Sequence, residues 1–294
     1  MVDSLMVFLK KHKQQITIEL EKYIINNTNE GRLRDAMLYS IQAGGKRIRP
    51  ILLLAVLDSF KQDTKKGISV ACALEMIHTY SLIHDDLPAM DNDAVRRGQP
   101  TNHKQFDEAT AILAGDALLT LSFQIISESK ELTSEEKVYL IKELSAASGP
   151  KGMVDGQMQD MDSENQTIPL DKLETIHKYK TGALLKFSIM AGAFLAQANN
   201  HETIELTRMA DALGLLFQIQ DDILDVVGDV NTIGKPTGSD EGNHKSTYPQ
   251  LLGMEGAVNQ KNYYAEIAYK SLDHAGVNNT ILSELIKYLS QRDR

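Results

Sequence analysis

Residues 213–225 read LGLLFQIQDDILD, an apolar run that ends in three aspartates. At 100° per residue its apolar side chains point to nearly every side, which predicts a buried helix. Asp221 and Asp225 are four residues apart, so their carboxylates share one helix face. Like charges on one face repel each other, and acids at the end of a buried helix require a cation. The stretch therefore predicts helical architecture with a cation site at the end of a core helix.

A second acidic cluster lies earlier, where residues 85–91 read DDLPAMD. A helical pattern over residues 70–86 precedes it, and Pro88 is expected to end that helix. On a continuous helix Asp85 and Asp91 would lie about 120° apart, so the chain after Pro88 is expected to curl Asp91 back toward Asp85. Paired carboxylates suit Mg²⁺, which keeps several waters and is completed by substrate phosphates.

Helical signals dominate the rest of the chain. Start signals occur at Pro50, at Asp107, at Thr133 within a capping box, and at Asn200. The helical patterns that we assign cover residues 51–60, 108–128, 138–147, 170–198 with an interruption near Thr181-Gly182, 200–227, and two amphipathic segments from residue 257 onward. No long stretch alternates with period two, and Asn-Gly or Asp-Gly hairpin turns are lacking. We expect an all-α fold, a single domain over residues 1–294 with ten or more helices around a central cavity.

One segment interrupts this helical pattern. Residues 228–249 are rich in Gly, Asp, Asn and Lys, and a loop of that length in a compact domain is more often functional than accidental. Gly234-Lys235 within it is a near miss to the phosphate-binding loop of P-loop NTPases. Five residues separate Gly228 from Gly234, where the P-loop motif has four. Pro236 occupies the position of the Ser or Thr whose hydroxyl binds Mg²⁺, and no predicted strand precedes the segment.

Composition excludes several classes of protein. Acidic residues outnumber basic ones by 40 to 31 among 294 residues, which argues against nucleic acid as a partner. The single cysteine, Cys72, excludes a disulfide framework and a cysteine-based zinc site. We find no apolar run that approaches the ~20 residues of a membrane span and no signal-peptide pattern at the N-terminus. A cytoplasmic location is expected.

Basic residues recur beside the acidic segments. Residues 44–50 read GGKRIRP, with three bases on a turn that enters a helix, and Arg96-Arg97-Gly98 follows the first acidic cluster. Lys180-Thr181 interrupts a helical pattern. Arg binds phosphate in a bidentate manner and Lys binds it as a point charge. In an acidic chain, these local groups are the candidates for holding a polyanionic substrate.

Together these motifs resemble the trans-isoprenyl diphosphate synthases, a family also called polyprenyl synthetases. The resemblance rests on Asp-Asp-x₄-Asp followed by Arg-Arg-Gly, the late Asp-Asp-x-x-Asp, the early Gly-Gly-Lys-Arg-x-Arg-Pro and the mid-chain Lys-Thr. It extends from about residue 30 to the C-terminus. The wide first cluster, with Tyr80-Ser81 nearby, is similar to that of the bacterial farnesyl diphosphate synthase branch.

The resemblance implies a role for each matching residue. The diphosphate of isopentenyl diphosphate would be bound by Lys46, Arg49, His78 and Arg97. Two or three Mg²⁺ ions would be held by Asp85, Asp91 and Asp221, with Asp86, Asp222 and Asp225 in support. The allylic substrate would be contacted by Arg96, Lys180, Thr181, Gln218, Lys235 and Lys245. Thr181 and Gln218 would face the reacting carbons, and His84 would either orient an aspartate or be a structural residue.

The implied reaction joins isopentenyl diphosphate to dimethylallyl and then geranyl diphosphate, in a homodimeric enzyme that releases (E,E)-farnesyl diphosphate. Ser81 lies one helical turn below Asp85, and Tyr80 lies beside it. One turn rises ~5.4 Å, which is comparable to one isoprene unit, so Tyr80 is expected to form the cavity floor at fifteen carbons. The alternative is that the Tyr80 ring packs into the core, away from the cavity.

Other functions remain to be separated from this one. A synthase of longer products, such as geranylgeranyl diphosphate synthase, differs only in cavity depth. A class I terpene cyclase also uses Mg²⁺ and acidic clusters, but it needs no second diphosphate site such as Lys46, Arg49 and Arg97 would form. A silent regulatory subunit of a synthase would not require two intact acidic clusters.

Overall fold

The structure is a computed structural model and describes residues 2–227, 246–278 and 280–291. Its α-helices are α1 (Val2–Asn27), α2 (Arg32–Gln42), α3 (Ile48–Ser59), α4 (Ile68–Asp85), α5 (Asn102–Gln105), α6 (Glu108–Ser127), α7 (Ser134–Ser148), α8 (Met153–Asp162), α9 (Leu170–His177), α10 (Ala183–Leu195), α11 (Asn200–Val227), α12 (Tyr248–His274) and α13 (Ile281–Gln291). A π-helical turn, Lys178–Gly182, joins α9 to α10, and a short 3₁₀ helix, Thr64–Gly67, precedes α4. The prediction of an all-α fold with ten or more helices is confirmed.

Most predicted helix starts are confirmed, and two need correction. Asp107 caps α6 by accepting a hydrogen bond from the Thr110 amide, and Thr133 forms both bonds of its capping box. Helix α3, however, begins at Ile48, two residues before Pro50. At α11 the cap is Asn199 rather than Asn200, because the Asn199 side chain accepts the Glu202 amide at 3.0 Å.

A small β-hairpin was not predicted. Its strands, Val95–Arg96 and Gln99–Pro100, pair in antiparallel fashion. The turn residues Arg97 and Gly98 have φ of 55° and 75°, as a type I′ turn requires. Two-residue strands are too short to show alternation, and Arg97 occupies the position where Asn or Asp is the usual signal. The hairpin matters because it carries both arginines of the Arg-Arg-Gly motif.

Helix α11 lies in the hydrophobic core, as its apolar sequence predicts. Leu213, Leu216 and Ile219 have no exposed surface. One core cluster draws residues from α1 through α13 and includes α3, α4, α10 and α11. A smaller cluster around Ile223 and Tyr248 lies beneath the second acidic segment. The acidic end of α11 is therefore held between two apolar clusters.

The expectation that no apolar run is long enough to cross a membrane was wrong for α6. By length and composition alone, Glu108–Ser127 could span a bilayer, because its interior carries a single charged residue, Asp116. An uninterrupted apolar run is too strict a criterion for such a helix. In the structure one face of α6 packs along α4 in the core, and Ile112 and Leu113 on the other face are exposed.

Candidate active site

A cavity of about 690 Å³ lies between α4, α8 and the π-helical turn. Its wall is mainly apolar and includes Leu82, Met90, Met153, Met158, Met161 and Leu184. Its polar residues include Arg49, Asp85, Lys180 and Thr181, which come from three of the predicted motifs, and the predicted ligand His78. A cavity of this size suits a small ligand, and its composition suits one with an anionic head and a hydrocarbon chain.

The first acidic cluster has the predicted curled shape. Helix α4 ends at Asp85, and the Asp91 amide then donates a hydrogen bond to the Asp85 carbonyl at 2.9 Å. The two predicted ligands are therefore neighbours. Asp86 is buried and forms an ion pair of 2.6 Å with Arg96 of the hairpin. The predicted contact of Arg96 with the allylic diphosphate would require it to share its bond with Asp86.

Burial makes the charged form of Asp85 unfavourable in the metal-free protein. The pKa of the Asp85 carboxyl is raised to about 6, chiefly by burial; Asp91 and Asp86 raise it further, and Lys180 opposes the rise. Because the metal-free protein disfavours the charged form of this carboxyl group, a divalent cation that binds it would stabilise the charge.

The second acidic cluster also contains one buried aspartate beside partly exposed ones. Asp222 is 3 % exposed; it accepts the Tyr248 amide at 3.0 Å and the Gln218 side-chain amide at 3.2 Å. Asp221 and Asp225 lie on a different side of α11 and are partly exposed. In both clusters, therefore, the second aspartate of the Asp-Asp pair is enclosed and hydrogen-bonded within the protein. The first aspartate of each pair is partly exposed.

The donor set fits Mg²⁺. Within residues 2–227, 246–278 and 280–291, no three Asp, Glu, His or Cys side chains are grouped closely enough to hold a metal ion by themselves. Mg²⁺ is usually bound through one or two carboxylates, with waters and substrate phosphates completing its octahedron. Asp85 and Asp91 on one cluster and Asp221 on the other match that pattern.

The π-helical turn carries Lys180 and Thr181 to the cavity. The Thr181 hydroxyl donates to the Gln218 side-chain oxygen at 3.0 Å, which links the turn to α11 next to Asp222. Lys180 donates to Asp160 of α8 at 2.7 Å. Single π-turns inside helices are often found at functional sites, and this one places Lys180 and Thr181 in the cavity wall while Thr181 is hydrogen-bonded to Gln218 of α11.

Gly156 of α8 allows the π-helical turn to approach closely. A Cβ atom at this position would lie 2.2 Å from the Lys180 backbone nitrogen, so only glycine fits without a backbone shift. We expect Gly156→Ala to destabilise the fold by roughly 1–3 kcal/mol through overpacking and to lower turnover, because Lys180 and Thr181 must move. Urea unfolding and steady-state kinetics measure the two effects. Gly253→Ala is a useful comparison, since that glycine has no atom within 4 Å of the added Cβ and only its positive φ of 71° is strained.

A second cavity of about 410 Å³ borders the first and is basic. Lys46, Arg49, His78 and Arg97, the four residues predicted to bind one diphosphate, all line it. Arg49 and His78 also line the larger cavity, so they form the wall between the two. Burial and the neighbouring guanidiniums of Arg49 and Arg97 lower the pKa of His78 well below its usual value, so its neutral ring accepts a hydrogen bond from Arg49 at 3.2 Å.

The bases of the glycine-rich turn have different surroundings. Arg47 is buried in a 2.7 Å ion pair with Glu75, and its φ is 54°. Gly45 has a φ of 133°, and a Cβ there would lie 2.9 Å from the Arg97 guanidinium. Arg47 therefore anchors the turn, and the absence of a side chain at Gly45 lets Arg97 lie against the backbone.

The two predicted chain-length residues both lie in the wall of the larger cavity. Tyr80 is 7 % exposed and packs edge-on against His84 at 5.7 Å between ring centres. Tyr80 therefore belongs both to the cavity wall and to the main core cluster. Ser81 also lines the cavity and donates to the His78 carbonyl. His84 is hydrogen-bonded to the Ile112 carbonyl at 3.1 Å and packs against Gly115, which favours a structural role.

Helix α8 was missed by the sequence analysis, and with it a wall of the site. Gln157 lines the cavity, and Asp160 bonds Lys180. The helix escaped notice because it is short and has Gly156 in its middle. The signal that the sequence offered for a functional segment was the group of four polar side chains Asp155, Gln157, Gln159 and Asp160. The predicted contacts Lys235 and Lys245 lie outside the described residues.

Comparison with known proteins agrees with this geometry. The family model for polyprenyl synthetase matches residues 30–285. Farnesyl diphosphate synthase of Geobacillus stearothermophilus is 49 % identical over 97 % of each chain, and that of Bacillus subtilis is 47 % identical over 100 % of each. The structure of a Helicobacter pylori geranyltransferase complexed with magnesium and isoprenyl diphosphate aligns with a TM-score of 0.80 at 36 % identity over 96 % of each chain.

These matches confirm the resemblance inferred from the motifs and rule out a P-loop NTPase. They cover both acidic segments, the glycine-rich turn and the Lys-Thr pair in a single alignment of nearly the whole chain. The chain belongs to the polyprenyl synthetase family.

Proposed function

We propose that this protein is a Mg²⁺-dependent prenyltransferase that joins isopentenyl diphosphate head-to-tail to dimethylallyl and then geranyl diphosphate, giving (E,E)-farnesyl diphosphate. The observation that carries the proposal is the pair of adjoining cavities with a common wall at Arg49 and His78. A basic cavity next to an apolar one bordered by carboxylates can hold two diphosphates with their carbon chains facing each other.

Bound Mg²⁺, as two or three ions on Asp85, Asp91 and Asp221, would supply neutralisation of the leaving diphosphate. The chain's own contribution begins with Lys180, which reaches into the cavity from its bond with Asp160. Its ammonium adds positive charge where the leaving group develops negative charge. Asp86 and Asp222 position the neighbouring ligands through Arg96, Gln218 and the Tyr248 amide.

The reaction requires the cavity to protect a carbocation. The allylic C–O bond breaks and leaves an allylic cation and diphosphate. The methionine- and leucine-lined wall keeps water away from that cation. The oxygens of Thr181 and Gln218, fixed by their mutual hydrogen bond, stabilise its charge without forming a bond to it.

The second substrate is positioned for attack by the basic cavity. Lys46, Arg49 and Arg97 hold the diphosphate of isopentenyl diphosphate, so that its double bond lies next to the allylic carbon. A new C–C bond forms, and the resulting cation loses a proton. The released diphosphate is the acceptor that we propose for this proton.

Incubation with isopentenyl and dimethylallyl diphosphates and Mg²⁺ tests the proposal. We expect release of diphosphate and a chain-elongated product, both abolished by EDTA. A class I terpene cyclase would release diphosphate from the allylic substrate alone, and a silent regulatory subunit would release none. Either of these results would contradict the proposal.

The two diphosphate sites predict different kinetic defects. Arg49→Ala is expected to raise KM for isopentenyl diphosphate at least about tenfold more than KM for the allylic substrate, because a charged hydrogen bond is lost in the basic cavity. Lys180→Ala is expected instead to raise KM for the allylic substrate and to lower kcat. Initial rates with each substrate varied in turn measure this split. Equal effects on both substrates would mean that the assignment of the bases is wrong. Lys245→Ala, outside the described residues, is expected to resemble Lys180→Ala.

We also propose that the protein is a homodimer of single-domain chains in the cytoplasm. The outer face of α6 supports the dimer, since Ile112 and Leu113 are 43 % and 58 % exposed there and exposed apolar patches mark contact surfaces. The main core cluster, which contains residues from Leu5 to Leu289, supports one domain. Light scattering should give twice the chain mass, and Leu113→Glu should give monomers. A monomeric wild type would contradict the dimer.

A further inference from the structure

A third cavity, of about 590 Å³, lies between α7, α10 and the π-helical turn. Its floor is apolar and includes Ala183, Phe187 and Met190. It contains none of the residues that line the two substrate cavities. The volume lies within the range of small-molecule sites, so the cavity is large enough for a ligand of its own.

The charges around this cavity favour an anion. Asp211 is neutralised by the Lys186 ammonium at 2.9 Å, and Glu143 lies 3.3 Å from the Lys142 ammonium. Lys151 and Lys178, which also line the cavity, have no ion-pair or hydrogen-bond partner in the described part of the chain. The net charge available to a ligand is therefore positive, and it lies next to an apolar floor.

We propose that this third cavity binds an amphipathic phosphate, with the phosphate between Lys151 and Lys178 and an apolar chain over Phe187 and Met190. Two ammoniums match the charge of a phosphate group, and the floor removes the hydrocarbon from water. Isoprenoid phosphates and straight-chain lipid phosphates share this chemistry.

The position of the cavity couples it to the substrate site. Lys178 and Tyr179 line the third cavity, whereas Lys180 and Thr181 of the same π-helical turn line the larger substrate cavity. A ligand that orders one side of a five-residue turn restricts the other side. Occupancy therefore lowers turnover; this consequence, unlike binding itself, rests on the proposed prenyltransferase function.

Calorimetric titration in EDTA tests binding separately from catalysis, because turnover requires the metal. The basic substrate cavity needs no metal to hold a phosphate, so the variants of the third cavity distinguish binding in the two places. The probes are dodecyl phosphate, below its micellar concentration, and farnesyl monophosphate. We expect one-to-one binding that becomes at least about tenfold weaker in the double variant Lys151→Glu/Lys178→Glu. Lys130→Glu, which reverses the charge of an exposed lysine away from all three cavities, is the control for a charge reversal elsewhere on the surface. Ala146→Trp, on the exposed rim, should block binding without altering charge.

The outcomes are distinct. Binding of either probe that is weakened by the double variant and by Ala146→Trp, and not by Lys130→Glu, supports the proposal; the better probe identifies isoprenoid or straight-chain phosphates as the ligand class. Failure of both probes to bind the folded wild type, or binding unchanged in both cavity variants, overturns it. If the wild type binds a probe but shows no prenyl transfer when no probe is present, the result counts against the proposed function and not against binding in the third cavity.

Discussion

Asp85→Ala is expected to lower kcat at least about 10²-fold, the scale of losing one electrostatic contact to a transition state. Asp85 lies at the end of α4 in the wall of the larger cavity, with Asp91 hydrogen-bonded to its carbonyl. Removing its carboxylate removes a proposed ligand of the ion that neutralises the leaving diphosphate. Asp221→Ala is expected to have a loss of the same order. Single-turnover rates at saturating Mg²⁺ measure both effects.

The fold should survive substitution of Asp85, and the metal-free variant should be no less stable than the wild type at neutral pH. In the metal-free protein the pKa of Asp85 is about 6, above the ~3.9 of an unfolded aspartate. The native state therefore loses stability as pH rises from about 4 to 6. Asp85→Asn removes that cost, so in EDTA at pH 7.5 its Tm should equal or exceed that of the wild type.

Asp171→Asn serves as the control for the Asp85 experiments, because Asp171 is an exposed acid of α9 outside the three cavities. It should leave kcat within twofold. A near-normal rate in Asp85→Ala with Mg²⁺ would remove that aspartate from the mechanism, and a collapsed Tm would show that its role is structural.

Tyr80→Ala is expected to change the main product from fifteen carbons to twenty or more. Tyr80 lies in the wall of the larger cavity, and its ring packs edge-on against His84, which suits a fixed floor. Removing the ring deepens the cavity by about one helical turn, ~5.4 Å, close to one isoprene unit. Ser81→Phe, which adds a ring at a neighbouring wall position, should shorten the product to ten carbons. Chromatography after phosphatase treatment measures chain length.

Tyr80→Phe is the matched control, since it keeps the ring and removes only the hydroxyl. Its product should stay at fifteen carbons. If Tyr80→Ala and Ser81→Phe both still release fifteen carbons, the floor lies elsewhere. A wild-type product of twenty carbons would favour the geranylgeranyl alternative instead.

The helical fold and the identity of the acidic site were predictable from local sequence. The all-round apolar pattern before Asp221 predicts burial because no solvent-facing side remains on such a helix, and the structure buries Leu213, Leu216 and Ile219. Pro88 predicts a helix end because it lacks an amide hydrogen and clashes with the preceding turn. The curl that brings Asp91 to Asp85 follows from that local break.

Other features depend on contacts between residues far apart in the chain. Helical spacing places Asp221 with Asp225 on one face, but it does not show that Asp222 and Asp86 are the enclosed members of their pairs. The enclosed member of each pair is defined by the Tyr248 amide and by Arg96, which reach it only after helix packing and hairpin formation.

Helix α8 illustrates the same limit. Its short, glycine-interrupted sequence has weak helical propensity of its own, and packing against the π-helical turn stabilises it, with Gly156 at the contact. The sequence by itself therefore determined most of the helices, the charged motifs and the family. The tertiary structure decided which charges face the cavities, because burial and pairing depend on the partners that long-range packing supplies.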